Sequence, residues 1–220
     1  MKIHVAHKAF ATKVLFRDFA LSWERGQFIA LTGASGVGKT TLLRMLAGLD
    51  TQWQGEISGG TLGTIGFMFQ EPRLMPWLSA RDNIALMTPD HAYVDELLRR
   101  VGLADAADKY PNQLSGGMQR RVALARAMTQ RPDVLLMDEP FTSLDAATAR
   151  GCRDLLEQLC REFEPTVLLV SHDLEEMLSL ASRVVVLGGE PVDIIEDIDV
   201  EAWRLHQDGE SPENRLRPYF

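Results

Sequence analysis

The stretch Gly33-Ala34-Ser35-Gly36-Val37-Gly38-Lys39-Thr40 constrains this chain more than any other. It fits G-x-x-x-x-G-K-[ST] in full, follows the apolar run Phe28–Leu31, and opens a helical pattern, Thr41–Ala47, that stops at Gly48. Such a loop needs a strand to launch it and a helix to end it. Glycines at 33, 36 and 38 let backbone N–H groups converge on phosphate oxygens. The new helix turns its positive end toward the same anion. Lys39 is placed to neutralise β- and γ-phosphates, Thr40 to offer a hydroxyl to Mg²⁺, and Thr41 to reach the α-phosphate. The plainer alternative, a glycine-rich turn with a surface lysine, does not account for a strand before and a helix after.

The rest of the chain is consistent with that frame. Phe28–Leu31, Ile65–Phe69, Val134–Met137, Val167–Val170 and Val184–Leu187 are continuously apolar, as strands buried on both faces of a parallel sheet are. Helical patterns lie between most of them, so the spacing predicts an α/β fold. Cys152, Leu155, Leu156, Leu159, Cys160 and Phe163 form a one-face stripe, in which both cysteines read as small buried hydrophobes. From Gln70 to Ser115 prolines punctuate the chain, and Asp95–Val101 and Leu103–Lys109 read as short helices: a small helical lobe inserted in the core. After Gly188–Gly189 the chain turns acidic and then polar, which predicts a weakly structured tail over 191–220.

Two further places carry chemistry. Val134-Leu135-Leu136-Met137-Asp138-Glu139 is an apolar strand ending in two carboxylates, and the C-terminal strand edge of an α/β sheet is where ligands bind. Asp138 can hold Mg²⁺ through its water shell, while Glu139, one residue on, can polarise an attacking water. Leu114-Ser115-Gly116-Gly117-Met118-Gln119 precedes the helical stretch Arg120–Thr129. Ser115 is a natural N-cap, and two glycines behind it leave the helix start open to an anion.

Taken in order, these motifs resemble those of the nucleotide-binding subunit of ATP-binding cassette (ABC) transporters, over roughly residues 1–190. Leu114–Gln119 is similar to the family's signature motif, with Met118 where many members carry glutamine; the block Gly55–Gly66 is shorter than is usual in the family, which implies a clipped hairpin. Gln70 resembles its glutamine loop, which senses metal and attacking water. Ser143-Leu144-Asp145 resembles the loop that faces a second subunit, and His172 the switch histidine that contacts the γ-phosphate. Phe10 lies 23 residues before Gly33, in the place of the aromatic that stacks on adenine; Phe16 and Phe19 are nearby with a poorer spacing. The other histidines (His4, His7, His91 and His206) and Trp53, Trp77 and Trp203 read as surface, structural or packing residues.

The resemblance implies a RecA-like P-loop NTPase core with a mostly parallel sheet, an N-terminal antiparallel β part and an inserted helical subdomain at about 71–117. It implies ATP and Mg²⁺ as ligands, with Thr40, Gln70 and Asp138 at the metal, Glu139, His172 and Gln70 at the reaction, and Phe10, Gly33–Thr41, Ser115, Gly116, Gly117 and Asp145 at the nucleotide. One copy of each motif implies a second ATP-binding chain, most simply a homodimer. Membrane-spanning permease subunits and, indirectly, a solute-binding protein complete the implied assembly. The chain would sit at the cytoplasmic face of the membrane. The segment Gln70–Leu78 is similar to the same region in importers of nitrate, sulfonates and taurine; an exporter subunit and a non-transport ABC ATPase are the alternatives. A net charge of −8 argues against a nucleic-acid partner, two cysteines suit a reducing compartment, and no run approaches the ~18 apolar residues of a bilayer span.

Overall fold

In the computed structural model, which describes residues 1–206 and 210–220, the apolar runs become buried strands. The chain begins with β1 (Lys2–Phe10), β2 (Lys13–Ser22), β3 (Phe28–Thr32), α1 (Lys39–Leu46) and β4 (Gln54–Ser58). It continues through β5 (Ile65–Met68), α2 (Ala80–Ala85), α3 (His91–Arg100), α4 (Gly116–Met128), β6 (Val134–Asp138) and α5 (Ala146–Phe163). It ends with β7 (Thr166–Val170), α6 (Leu174–Leu180), β8 (Arg183–Gly188), β9 (Asp193–Asp199), α7 (Val200–His206) and α8 (Pro212–Leu216). Two compact units result: Met1–Leu62 with Thr166–Phe220, and Gly63–Pro165.

The first unit holds an antiparallel sheet, β2-β1-β4, and four strands in the order β7-β3-β8-β9. Strand β3 runs parallel to both β7 and β8, while β9 closes the edge antiparallel to β8. Every residue of β7 is buried, as its unbroken apolar run requires. In the second unit β5 and β6 pair in parallel, and β6 is again buried throughout. Helix α5 buries the Cys152, Leu155, Leu156 and Leu159 stripe, and burial pushes the Cys160 thiol up to about 12, so both cysteines pack rather than react.

Three expectations are corrected. The 191–220 tail is not weakly structured where it is described: β9 pairs along β8, and Leu216, fully buried, joins Ala30, Met177, Val184 and Val186 in one apolar cluster. Residues 55–66 form no hairpin; β4 pairs with β1 and β5 with β6. Gly55 lets β4 close on β1, since a Cβ there would stand 2.0 Å from the His4 carbonyl oxygen. Leu103–Lys109 is no α-helix but a single 3₁₀ turn at Ala104–Ala106. The Ala107 and Lys109 carbonyls accept instead from the Arg81 and Ala80 N–H groups, 2.8 Å each. The pattern also missed α2, capped by Ser79, and set the start of α3 too late, because Asp90 caps it through the Tyr93 N–H. The His206 side chain lies outside the described residues. No described helix is long and apolar enough to cross a membrane.

Candidate functional site

The phosphate loop springs from β3 and ends on α1, as its spacing requires. Gly33 must be glycine on two counts. Its φ is 137°, and a Cβ would lie 2.1 Å from the Leu187 carbonyl oxygen of β8. Gly38, at φ 120°, starts α1 with no side-chain cap, so the first N–H groups of the helix face the loop. Lys39 is buried, and its ammonium donates to the Gly33 and Ala34 carbonyls at 2.6 and 3.0 Å, inside the curve of the loop. Ala34, Ser35, Gly36 and Thr40 are exposed, Val37 and Thr41 half-buried. A cavity of about 310 Å³, within the size range of small-molecule sites, is lined by Ser35 and Gly36 of the loop together with Val14 of β2 and Gly189 after β8.

His172 reaches the same strand edge. Leu31 of β3 is in register with Val170 of β7, and the Ser171 N–H donates to the Leu31 carbonyl at 3.2 Å. One residue further on, His172 is exposed at the end where the phosphate loop begins. Phe10 ends β1 and is 52% exposed, whereas Phe16 and Phe19 are buried against each other with centroids 5.0 Å apart. Only Phe10 of the three therefore offers a face to a ligand. The buried Lys8 ammonium lies 4.4 Å from the centre of its ring, held by both Asp50 carboxylate oxygens (2.8 and 2.7 Å) and by the Gln52 carbonyl at 3.0 Å.

The second unit gathers the carboxylates. Asp138 ends β6 and is buried; Glu139 follows half-buried. Its Oε2 accepts from the Gln70 amide at 3.5 Å and from the Thr142 hydroxyl at 3.3 Å. Glu139 and Ser143 have φ of 46° and 68°, and Arg73, beyond Gln70, has 47°. Each such non-glycine residue costs about 1–2 kcal/mol, and strain of this kind gathers where a side chain must be aimed. Thr40, Gln70 and Asp138 offer a hydroxyl, an amide oxygen and a carboxylate. These are hard donors of the type Mg²⁺ takes, and it keeps waters and needs only one or two carboxylates. Among the described residues there is no group of three or more His, Cys, Asp or Glu that could hold a metal ion.

Ser115 caps α4, its hydroxyl accepting from the Met118 N–H at 3.3 Å. The two glycines behind it differ. Gly116 is exposed, with nothing nearer a would-be Cβ than the Leu144 side chain at 3.8 Å. Gly117 is buried, and a Cβ there would meet the Thr148 methyl at 2.3 Å, so the packing of α4 on α5 demands glycine as much as any anion does. Asp145 caps α5 through the Thr148 N–H at 3.0 Å; a hydrogen bond from the Thr148 side chain, and then this one, hold its exposed carboxyl below the ordinary value.

The ABC transporter family model matches residues 16–142. The chain belongs to the ABC transporter family. It is an ATPase of that family. Among its relatives, the aliphatic sulfonates import ATP-binding protein SsuB 1 of Pseudomonas savastanoi pv. phaseolicola is 44% identical over 91% of this chain and 85% of its own. The protein of the same name from Xanthomonas axonopodis pv. citri is 45% identical, covering 87% of this chain and 82% of its own. The SsuB of Bacillus licheniformis is 41% identical, covering 100% and 89%. Among solved structures, the dimeric post-hydrolysis state of the ATP-binding cassette MJ0796 bound to ADP and Pi matches with a TM-score of 0.77 and 27% identity, over 91% of this chain and 99% of that one.

Sequence reasoning missed several residues that organise this cassette. Asn83 is fully buried and fastens the loop after Gln70: its side chain accepts from the Met75 N–H at 2.7 Å and donates to the Met75, Leu78 and Ser79 carbonyls. Arg126 of α4 donates to the Pro72 and Arg73 carbonyls at 2.8 and 2.9 Å. Arg120 of the same helix donates to the Phe69, Gln70 and Thr142 carbonyls. An arginine answered by carbonyls rather than by a carboxylate leaves no charge pattern in the sequence.

Proposed function

We propose that this chain is the ATP-hydrolysing subunit of an importer of aliphatic sulfonates. The observation that carries this reading is the 41–45% identity to SsuB proteins along most of both chains. In this reading the phosphate loop Gly33–Thr41 wraps the triphosphate. Lys39 balances the β- and γ-phosphate charge, and Phe10 stacks on adenine. Thr40, Gln70 and Asp138 hold Mg²⁺, which when bound screens the phosphate charge. Glu139 orients water for in-line attack on the γ-phosphorus and takes its proton as the bond to the β–γ bridging oxygen breaks, giving ADP and phosphate. His172 fixes the γ-phosphate.

Each chain has one phosphate loop and one Ser115–Gly117 helix start, so a second copy supplies Ser115, Gly116 and Gly117 to the nucleotide of the first, with Asp145 beside the junction. The dimeric state of the MJ0796 cassette supports this pairing. The pair sits on permease subunits at the cytoplasmic face of the membrane and receives cargo from a solute-binding protein; no nucleic acid takes part.

The test is reconstitution with the permease subunits and solute-binding protein that this reading assigns to it. ATP hydrolysis is expected to rise when the binding protein is loaded with an alkanesulfonate. Stimulation by a different solute and none by alkanesulfonates would overturn the cargo. Unchanged turnover in Glu139→Gln would overturn the base.

A further inference from the structure

We propose that Arg120 is a positioning residue for Glu139, because its guanidinium braces the backbone of Gln70 and Thr142, two residues whose side chains donate to Glu139 Oε2. The proposal rests on Glu139 as the base. Arg120 lies on the first turns of α4, five residues after the Ser115 cap, and is buried. One end of its guanidinium donates to the Gln70 carbonyl and, at 3.4 Å, to the Phe69 carbonyl; the other donates to the Thr142 carbonyl at 3.2 Å. These carbonyls belong to two loops that meet nowhere in sequence, one after β5 and one after β6. A planar fork with donors on both sides suits such a bridge; a lysine ammonium has one centre and cannot span both.

The consequence for the base is geometric. Gln70 and Thr142 reach Glu139 Oε2 at 3.5 and 3.3 Å, so a shift of a few tenths of an ångström in either loop moves a donor out of range. Glu139 itself sits at φ 46°, a conformation that must be held from outside. Burial of Arg120 disfavours its charge, as expected where the surrounding groups are neutral carbonyls, with Cys152 and Glu71 acting weakly the other way. A buried cation retained without a carboxylate partner in its hydrogen bonds is costly, and tying the two loops to α4 gives it a role. The start of α4 is the Ser115–Gly117 turn, so the aim of the base is joined to the helix that meets the second nucleotide.

The test is a double-mutant cycle in the full chain, reading phosphate release and the binding of a fluorescent ATP analogue. Arg120→Met should lower kcat about 10- to 100-fold with the KM for ATP within about twofold, because misplacing a reacting group by an ångström costs on this order. In a Glu139→Gln background the same change should slow the residual rate by less than about twofold, since a base that is gone needs no aiming. Thr142→Val, which leaves the buried arginine in place, should lower kcat about 3- to 10-fold with the same non-additivity and stands in if Arg120→Met does not fold. Arg120→Lys should not restore the rate. Equal slowing in both backgrounds, or a rise in KM with kcat unchanged, would overturn the proposal. Wild-type turnover in Glu139→Gln alone would instead remove the base reading beneath it.

Discussion

Lys8→Met probes a buried ion pair between the N-terminal sheet and the segment after α1. The ammonium is 1% exposed and its partner carboxylate 16%. Methionine keeps the length and most of the apolar stem, so the change isolates the charge. It leaves Asp50 with the Gln52 N–H at 3.1 Å and the Gln52 carbonyl without its cation. Removing one partner of a fully buried pair costs about 3–5 kcal/mol, and the residual hydration of Asp50 brings this to about 2–3 kcal/mol. The loss depends on pH. Burial pushes the Asp50 carboxyl up, but the Lys8 hydrogen bond, the Gln52 N–H and the charges of Lys8 and Arg44 outweigh it and hold it below the ordinary value. A depressed carboxylate contributes stability above its unfolded value, about 3.9, and loses it as pH falls through the folded value. Without Lys8 only the upward push of burial and the weaker pulls remain, so Asp50 takes its proton at higher pH. The gap between wild type and variant is therefore full at pH 7, narrows as pH falls through the variant's carboxyl value, and goes on narrowing below about 4 until the wild-type carboxyl is protonated. Urea unfolding followed by circular dichroism at several pH values measures it. A gap below ~0.5 kcal/mol at pH 7, within the range of ordinary surface substitutions, or one that does not change with pH, would refute the reasoning.

Ser115→Arg should leave binding of a fluorescent ATP analogue intact and abolish hydrolysis, at a cost of about 1 kcal/mol in stability for the lost cap; unimpaired phosphate release would argue against a composite site. Leu216→Ala should destabilise the chain by about 2–5 kcal/mol in urea, and a loss under ~0.5 kcal/mol would mean that the C-terminal helix is not docked as described.

What could be read in advance was what is local. The phosphate loop, its strand and its helix are one contiguous stretch, although the close approach of Gly33 to Leu187 of β8 could not be read from it. Strands β6 and β7 are legible because burial on both faces leaves no polar position to confuse the pattern. The tail was misread for the opposite reason. Strand β9 is an edge whose burial is confined mainly to Ile198, and α8 is anchored only by Pro212 and Leu216 in a polar run. Lys8 and Asp50 stand 42 residues apart, and Arg120 meets Gln70 across 50 residues and Thr142 across 22. None of these distances leaves a periodic trace. Gly117 was legible as an open helix start, but its neighbour Thr148 comes from α5 and could not be foreseen.

The pairing of β3 has a consequence for how the protein is made. Its neighbours are β7 and β8, and the Gly26 N–H waits for the Thr166 hydroxyl 140 residues downstream, as the Phe28 carbonyl waits for Ser182, 154 residues on. At ~5–20 residues per second, a ribosome takes on the order of 7–30 seconds to deliver those partners after β3 has emerged. During that interval the unit Gly63–Pro165 is synthesised whole, while the strand that carries the phosphate loop has neither neighbour. A nascent chain stopped before Thr166 would thus own every residue of the loop and yet have no sheet to hold it. The sheet beneath the loop is complete only once residues 166–188 have arrived.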